Sequence, residues 1–381
     1  MMKKICYVVT LPSTIRAFFV LQLQYLANNG FEVHVICSED DGLQQLLGEK
    51  IKYIPLNMPR GISVGGTIKA IKELTRIFKK EKYDLVQYST PNAAFNASIA
   101  SKVAKVRIRN YHLMGLRYEG DYGLKRTILK MMEKISCSLS THIECVSNSN
   151  MEIALKDKIF SREKATVVWN GSTGGVDLKR FDISKKEQWR KEIREKYKIE
   201  EERIVFGFVG RITRDKGINE LLGAFQNLLS KTPNSILLLV GDFERVEDLE
   251  QDKLHWAEES KGVIFVSSVQ DVEKYYAALD VLVLPSYREG FGNVIIESEA
   301  MGIPVIVSNI PGPIDAMCNE VTGLQTRLKD QNDLYRKMER LLNDNIRRTY
   351  SAAARKFVEK SFDSKILCDK ICQRKRELLS E

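Results

Sequence analysis

The stretch VLVLPSYREGFGNVIIESEAMGIPVIVS, residues 281–308, reads as an apolar strand, a glycine-bearing loop, a helix-length amphipathic segment and a second apolar strand. That order is the βαβ unit of a parallel sheet covered on both faces. Upstream, RIVFGFVG (203–210), SILLLVG (235–241) and GVIFVS (262–267) repeat the pattern with helical segments between them, after a charged helix expected over 185–198. Further toward the N-terminus a separate set appears: ICYVVT (5–10), EVHVIC (32–37), KYIPL (52–56), DLVQYS (84–89), VRIRNY (106–111), HIECVS (142–147) and TVVWN (166–170). Helices are expected between them over 14–29, 66–82, 92–104 and 123–138, the first stopped by Asn29–Gly30.

Two sets of strands in 381 residues imply two α/β domains, each doubly wound and large enough for its own core. The Gly- and Ser-rich segment NGSTGGVDLKRF (170–181) lies between them and is the expected boundary. Ligands of such sheets bind beyond the carboxyl ends of the strands, so a cleft between the domains is expected to carry the chemistry.

Hydrophobic residues are 44% and charged residues 29%, which argues against disorder or a fibrous fold. The longest apolar runs, ILLLV and VLVLP, are far short of the ~18 residues that cross a bilayer. The start, MMKKICYVVTLP, has only a strand-length apolar run and no small-residue cleavage site. The expectation is a cytosolic chain, at most one resting on a membrane surface. The 7 cysteines are scattered without a CxxC and read as reduced, structural thiols. Net charge is +9, and residues 1–170 carry 25 Lys and Arg against 15 Asp and Glu, so the excess is N-terminal. An anionic partner for that part follows: nucleic acid, a phospholipid surface or a phosphorylated acceptor.

A dinucleotide cofactor is disfavoured, because no GxGxxG follows a strand; GISVGG (61–66) leads into a helix without the full spacing. Two other segments carry more. In VGRITRDKGI (209–218), Arg211 and Lys216 lie where a strand hands over to a helix N-terminus, a favoured place for phosphate. Arg offers a planar fork and Lys a point charge, together enough for a diphosphate without a metal. In 285–306, Glu289 sits in the loop and Glu297 eight positions on in the first turns of a helix. Gly290 and Gly292 flank Phe291, letting backbone N–H groups approach a ligand, with Asn293 next. Glu299 is expected to face away. Taken alone, a basic pair on a loop is often a solvated face, and carboxylates near a helix start also suit the dipole.

The run EGFGNVIIE resembles the E-x7-E motif of the family 4 retaining glycosyltransferases, which have the two-domain GT-B fold. The segments GRITRDKG, LLLVGD, DVEKYYAALDVLVLPS and NGSTGGVDLKRF resemble that family's corresponding stretches, and agreement runs over residues 1–345, most like the bacterial capsule and lipid-linked oligosaccharide branch. The resemblance implies two Rossmann-like domains facing each other across a cleft. Residues 1–172, completed by a helix over 361–381 that crosses back, would bind the acceptor, and 173–360 the donor. It implies that Arg211 and Lys216 hold the donor diphosphate and that Glu289 binds donor sugar hydroxyls. The backbone from Gly290 through Phe291 and Gly292 to Asn293 would line sugar and phosphate, and Glu297 would accept from the ribose. His112 in YHLMGLRYEG matches the family's H-x-x-G histidine near the donor sugar, with Arg117 and Glu119 as acceptor-side candidates. Two departures stand out: LPSTIRAFFV (11–20) replaces the family's Gly-rich loop and offers Arg16 in its place, and Ser267–Ser268 replace glycine where the base is met.

The expectation is therefore a metal-independent, retaining hexosyltransferase with no cofactor beyond its substrate, a nucleotide-diphosphate sugar, with UDP the expected carrier. The acceptor would be a polyprenyl-diphosphate-linked or other glycan in bacterial surface polysaccharide synthesis. Rivals are a sugar-nucleotide epimerase of the same architecture and a non-catalytic nucleotide-sugar-binding subunit. Two basic amphipathic helices, IKAIKELTRIFKK (68–80) and LKRTILKMMEKI (124–135), are either core-facing or laid on an anionic membrane at its inner face. Nucleic acid is disfavoured, since the basic residues lack interleaved stacking aromatics.

Overall fold

In a computed structural model of the chain, residues 2–58, 61 and 63–380 are described. They form two units, one of Met1–Gly174 with Ser364–Glu381 and one of Gly175–Asp363. The first unit is built on seven strands: β1 Lys3–Val8, β2 Phe31–Cys37, β3 Ile51–Pro55, β4 Leu85–Ser89, β5 Ile108–Leu113, β6 His142–Cys145 and β7 Ala165–Val167. They pair in the order β3-β2-β1-β4-β5-β6-β7, every pair parallel. The second has six: β8 Ile204–Val209, β9 Ser235–Val240, β10 Val263–Val266, β11 Val281–Leu284, β12 Val305–Ser308 and β13 Gly323–Thr326. Their order is β10-β9-β8-β11-β12-β13, again all parallel. Strand order thus reverses between β1 and β4 and between β8 and β11, the switch points of doubly wound sheets.

Sheets covered on both faces need strands that are apolar on both faces. On β1, Cys6 and Val8 enter one core with Leu74 and Phe78 of the helix Val64–Glu81. Ile5 and Tyr7 enter the opposite core, with Leu23 and Leu26 of the helix Val20–Asn28 and with Cys372 and Leu378 of the C-terminal helix Ser364–Ser380. All seven cysteines are free and all but Cys318 are buried.

Three boundaries differ from expectation for visible reasons. The helix expected over 14–29 is two, Pro12–Phe18 and Val20–Asn28, which meet at Phe19 (φ −117°, ψ −15°), whose buried ring lies between the Tyr7 and His112 rings at centroid distances of 5.8 and 5.6 Å. The expected division at 172/173 falls two residues later: the Ser172 N–H donates to Val146 and Gly174 lies against the Phe18 carbonyl, whereas the Val176 N–H donates to Phe362 in the second unit. The return to the first unit falls after Asp363 rather than 360, because the helix Asp344–Ser361 runs on and Phe362 packs edge-on against Phe291.

The helix Ser364–Ser380 belongs to the first unit and carries a cation into its core. Lys375 is fully buried and its Nζ donates to both oxygens of Glu144 on β6, at 2.8 and 2.7 Å. Burial works to raise the Glu144 carboxyl, but Lys375 outweighs it and holds the carboxyl below its ordinary value. Replacing Lys375 with Met strands a buried carboxylate and is expected to cost the first unit about 3–5 kcal/mol at neutral pH, read from the denaturant midpoint of its transition. Most of that loss should return in the double variant with Glu144→Leu.

Candidate active site

The site of the second unit grows from the loops after β8 and β11, the strands flanking its switch point. Gly217 (φ 74°) caps the helix Ile218–Lys231, and a Cβ there would stand 2.1 Å from the Pro285 carbonyl oxygen. Only glycine allows that approach. It is pinned by the Tyr287 N–H, which donates to the Asp215 carbonyl at 2.8 Å. The result places Lys216 on Glu289: Nζ donates to Oε1 at 2.5 Å, with both side chains less than a fifth exposed (18% and 13%). The two residues that sequence spacing put in separate motifs therefore form one ion pair.

Arg211, on the same loop, is half-exposed and held by Glu244 at 2.7 Å on the loop after β9. Asp215 was not a sequence candidate. Burial works to raise its carboxyl, but the Thr213 hydroxyl donating at 2.6 Å and the cations Arg211, Lys216 and Arg288 hold it below its ordinary value. Arg288 joins this electropositive cluster, and it too was missed. Neither had a recognisable signal, because their neighbourhood exists only once two loops 73 residues apart meet.

The loop 290–293 is shaped by glycine. Gly292 (φ 91°) precedes the helix Asn293–Ala300, and Gly312 (φ 92°) on the loop after β12 comes so close that a Cβ would stand 2.8 Å from the Gly290 carbonyl oxygen. Phe291 turns into the core, its ring edge-on to Phe362 at 5.3 Å, so it offers a ligand only its backbone. Glu297 lies in the second turn of the helix, and the Tyr276 hydroxyl donates to its Oε2 at 2.9 Å. Burial lifts the Glu297 carboxyl above its ordinary value, with Tyr276 opposing. Glu289 and Glu297 thus have different partners and different electrostatics. Glu299 is fully buried, and burial lifts its carboxyl well above its ordinary value, with Thr322 opposing. Ser267 and Ser268 are exposed, the Ser268 N–H donating to Asp242 at 2.9 Å.

In the first unit, His112 ends β5 and is 6% exposed, its Nε2 3.4 Å from the Thr173 hydroxyl. Burial pushes the imidazole down to about 4, so at neutral pH it is an uncharged hydrogen-bonding group. Beside it a cavity of about 10 Å³, lined by Gln22, Gln87, His112 and Glu144 among others, has room for one water. At the switch point Thr90, with φ 67°, is held by Thr10, their hydroxyls 2.9 Å apart; such strain concentrates at functional sites. Arg117 and Glu119 lie in the 3-10 turn Arg117–Gly120 after β5, Arg117 exposed. Arg16 is gripped by Asp40, which accepts from Nη2 at 2.5 Å and Nε at 3.3 Å, so its charge is already matched. In the cluster 61–66, Ile62 lies outside the described residues, Gly66 gives its N–H to the Ser63 cap, and the Gly61 carbonyl accepts from Asn92; this is a helix start, not a formed phosphate loop.

Comparison with known proteins agrees with this architecture. Residues 190–357 match the family model "Glycosyl transferases group 1", and residues 4–147 match "Glycosyl transferase 4-like". A capsular polysaccharide biosynthesis glycosyltransferase of Staphylococcus aureus is 32% identical over 97% of this chain and 96% of its own length. The UDP-Gal:alpha-D-GlcNAc-diphosphoundecaprenol alpha-1,3-galactosyltransferase of Escherichia coli is 26% identical over 97% of this chain and 95% of its own. Among solved structures, a glycosyltransferase from Rickettsia africae superposes with a TM-score of 0.81 at 22% identity, covering 99% of this chain and 98% of that one. With two doubly wound parallel sheets, a Lys–Glu pair at a switch point and these relatives along its whole length, the chain belongs to the group 1, family 4-like glycosyltransferases of GT-B fold.

Proposed function

We propose that the chain is a retaining, metal-independent hexosyltransferase that moves a sugar from a UDP-sugar to a lipid-diphosphate-linked saccharide during assembly of a bacterial surface polysaccharide. The Lys216–Glu289 pair carries this reading. A cation and a carboxylate, both largely desolvated at the carboxyl ends of parallel strands, suit a donor that presents a diphosphate next to a ring of hydroxyls. The donor and acceptor classes follow the relatives, one of which is named for a UDP-sugar donor and a diphosphoundecaprenol acceptor.

Each residue then has a physical task. As the bond from the sugar's anomeric carbon to the diphosphate breaks, negative charge grows on the leaving oxygen, and Lys216 stands ready to stabilise it without reorganisation. Arg211 exchanges Glu244 for the diphosphate. Glu289 accepts from donor hydroxyls while its own charge stays balanced by Lys216. Glu297, steadied by Tyr276, accepts from the ribose. His112, neutral, would offer the sugar a hydrogen bond rather than a charge.

Action on a lipid-linked acceptor places the enzyme at the inner face of the membrane, as a peripheral protein. Among the described residues no helix is long and apolar enough to cross a bilayer. The helices Val64–Glu81 and Gly123–Leu139 instead expose apolar residues beside their lysines: Val64, Ile68, Leu124 and Met131 are all at least half exposed.

Lys216→Ala is expected to lower kcat ~10²–10³-fold while binding of the free nucleoside is little changed, because the charge it meets develops in the transition state. An unchanged kcat with only a raised KM would remove Lys216 from that role. Chelation with EDTA should leave turnover of the UDP-sugar intact, since Arg211 and Lys216 supply the positive charge; loss restored by Mn²⁺ would contradict the metal-independent reading. The protein should sediment with anionic vesicles and not with neutral ones, less so as salt rises. Reversing Lys69, Lys72, Lys79 and Lys80 to Glu should abolish sedimentation and leave donor binding unchanged.

A further inference from the structure

A second cavity in the first unit is larger than the one beside His112. It is a slot of about 250 Å³ lined by Gly61, Pro91 and Asn92, by Arg117, and by Lys125, Leu129, Met132, Glu133 and Ser136 of the helix Gly123–Leu139. Gly61, Pro91, Asn92 and Arg117 follow β3, β4 and β5, so one end opens at the carboxyl edge of the sheet, where doubly wound folds bind ligands. From Lys125 to Ser136 the lining covers about 16 Å of helix, at 1.5 Å per residue. It is long, narrow and mostly hydrocarbon, with two exposed cations, Arg117 and Lys125, at the open end. Lys125 is held by Asp121 at 2.5 Å, a contact that a stronger anion would replace.

A second observation comes from the closed end. Glu133 is 4% exposed and its Oε1 has no hydrogen-bond partner, although it lines the slot. Burial pushes its carboxyl up to about 7, the Tyr111 hydroxyl acting in the opposite direction. The other titratable groups around it, Tyr111 on β5, Tyr118 in the 3-10 turn, Cys137 and Cys145, are all shifted upward by burial and stay neutral there. Glu133 is therefore the group of the slot that changes charge near neutrality, with the cations Arg117 and Lys125 at the far end.

We infer that this slot is the seat of the acceptor's lipid: the headgroup-proximal hydrocarbon of an isoprenoid diphosphate lies along Leu129 and Met132, and its diphosphate meets Arg117 and Lys125. This rests on the reading of the acceptor as a lipid diphosphate. Two cations at one mouth suit a diphosphate better than the single phosphodiester of a bilayer lipid. An apolar tail beside Glu133 favours the neutral acid, so binding takes up a proton above about pH 7.

The test is calorimetric binding to the whole chain, without donor. Farnesyl diphosphate is expected to bind at least tenfold more tightly than inorganic diphosphate. Met132→Trp and Leu129→Trp, which fill the slot, should bring the two to equality while UDP binding and the thermal midpoint hold. Arg117→Ala should weaken both anions alike. Above about pH 7 the ratio between the two anions should fall, approaching tenfold per pH unit, and Glu133→Gln should flatten that profile. Equal affinity for the two anions, or tighter binding of a short-chain phosphatidylglycerol than of farnesyl diphosphate, would overturn the assignment. So would a flat wild-type profile combined with filled variants that still bind farnesyl diphosphate. Farnesyl diphosphate binding with no transfer to any lipid-linked saccharide would instead sink the acceptor reading and leave the slot standing.

Discussion

The contact between Gly217 and the Pro285 carbonyl is the constraint on which the candidate site of the second unit rests. Parallel strands β8 and β11 are neighbours, so the loops leaving them start side by side, but adjacency alone does not bring side chains into register. A residue with a Cβ at 217 would push the loops apart, since 2.1 Å is far inside van der Waals contact. With glycine there, the Asp215 carbonyl reaches the Tyr287 N–H, and Lys216 lands on Glu289. The same device recurs at Gly312 against Gly290, so the loop with the E-x7-E motif is clamped from both sides by backbone that no side chain could replace.

The two units handle charge in different ways. In the second, the cations Arg211, Lys216 and Arg288 gather around Asp215, with Arg211 half-exposed. In the first, one pair is sealed: Lys375 and Glu144 are out of water and bonded to each other. The pair ties the C-terminal helix to β6, and loss of one partner alone would strand a buried charge. His112 and Glu299 show a third regime, in which burial leaves a titratable group neutral, whereas Glu133, pushed up to about 7, changes charge near neutrality. Glu133 also lines a cavity.

The amphipathic helices show how periodicity can be read correctly and still underdetermine a surface. Leu74 and Phe78 are core, as an apolar stripe implies, yet Ile68 and Val64 on the same helix are in solvent. The stripe outruns the sheet beneath it, and the excess at each N-terminal end is apolar surface set among lysines.

Much of this protein is legible in its residues alone. Apolar strands of three to seven residues alternating with amphipathic segments dictate parallel sheets, because buried strands need apolar side chains on both faces. Lys216, Glu289 and Glu297 stood out through local order, as did the glycines around Phe291, because strand, loop and helix N-terminus are consecutive in the chain. What the order of residues does not contain is which loops touch. The Lys216–Glu289 pair, the partnership of Tyr276 with Glu297, the neutralisation of Arg16 by Asp40 and the slot beneath Glu133 each depend on segments that lie far apart in sequence or on which way a side chain turns. Only tertiary structure decides those, because desolvation and close packing act on neighbours in space, whatever their distance along the chain.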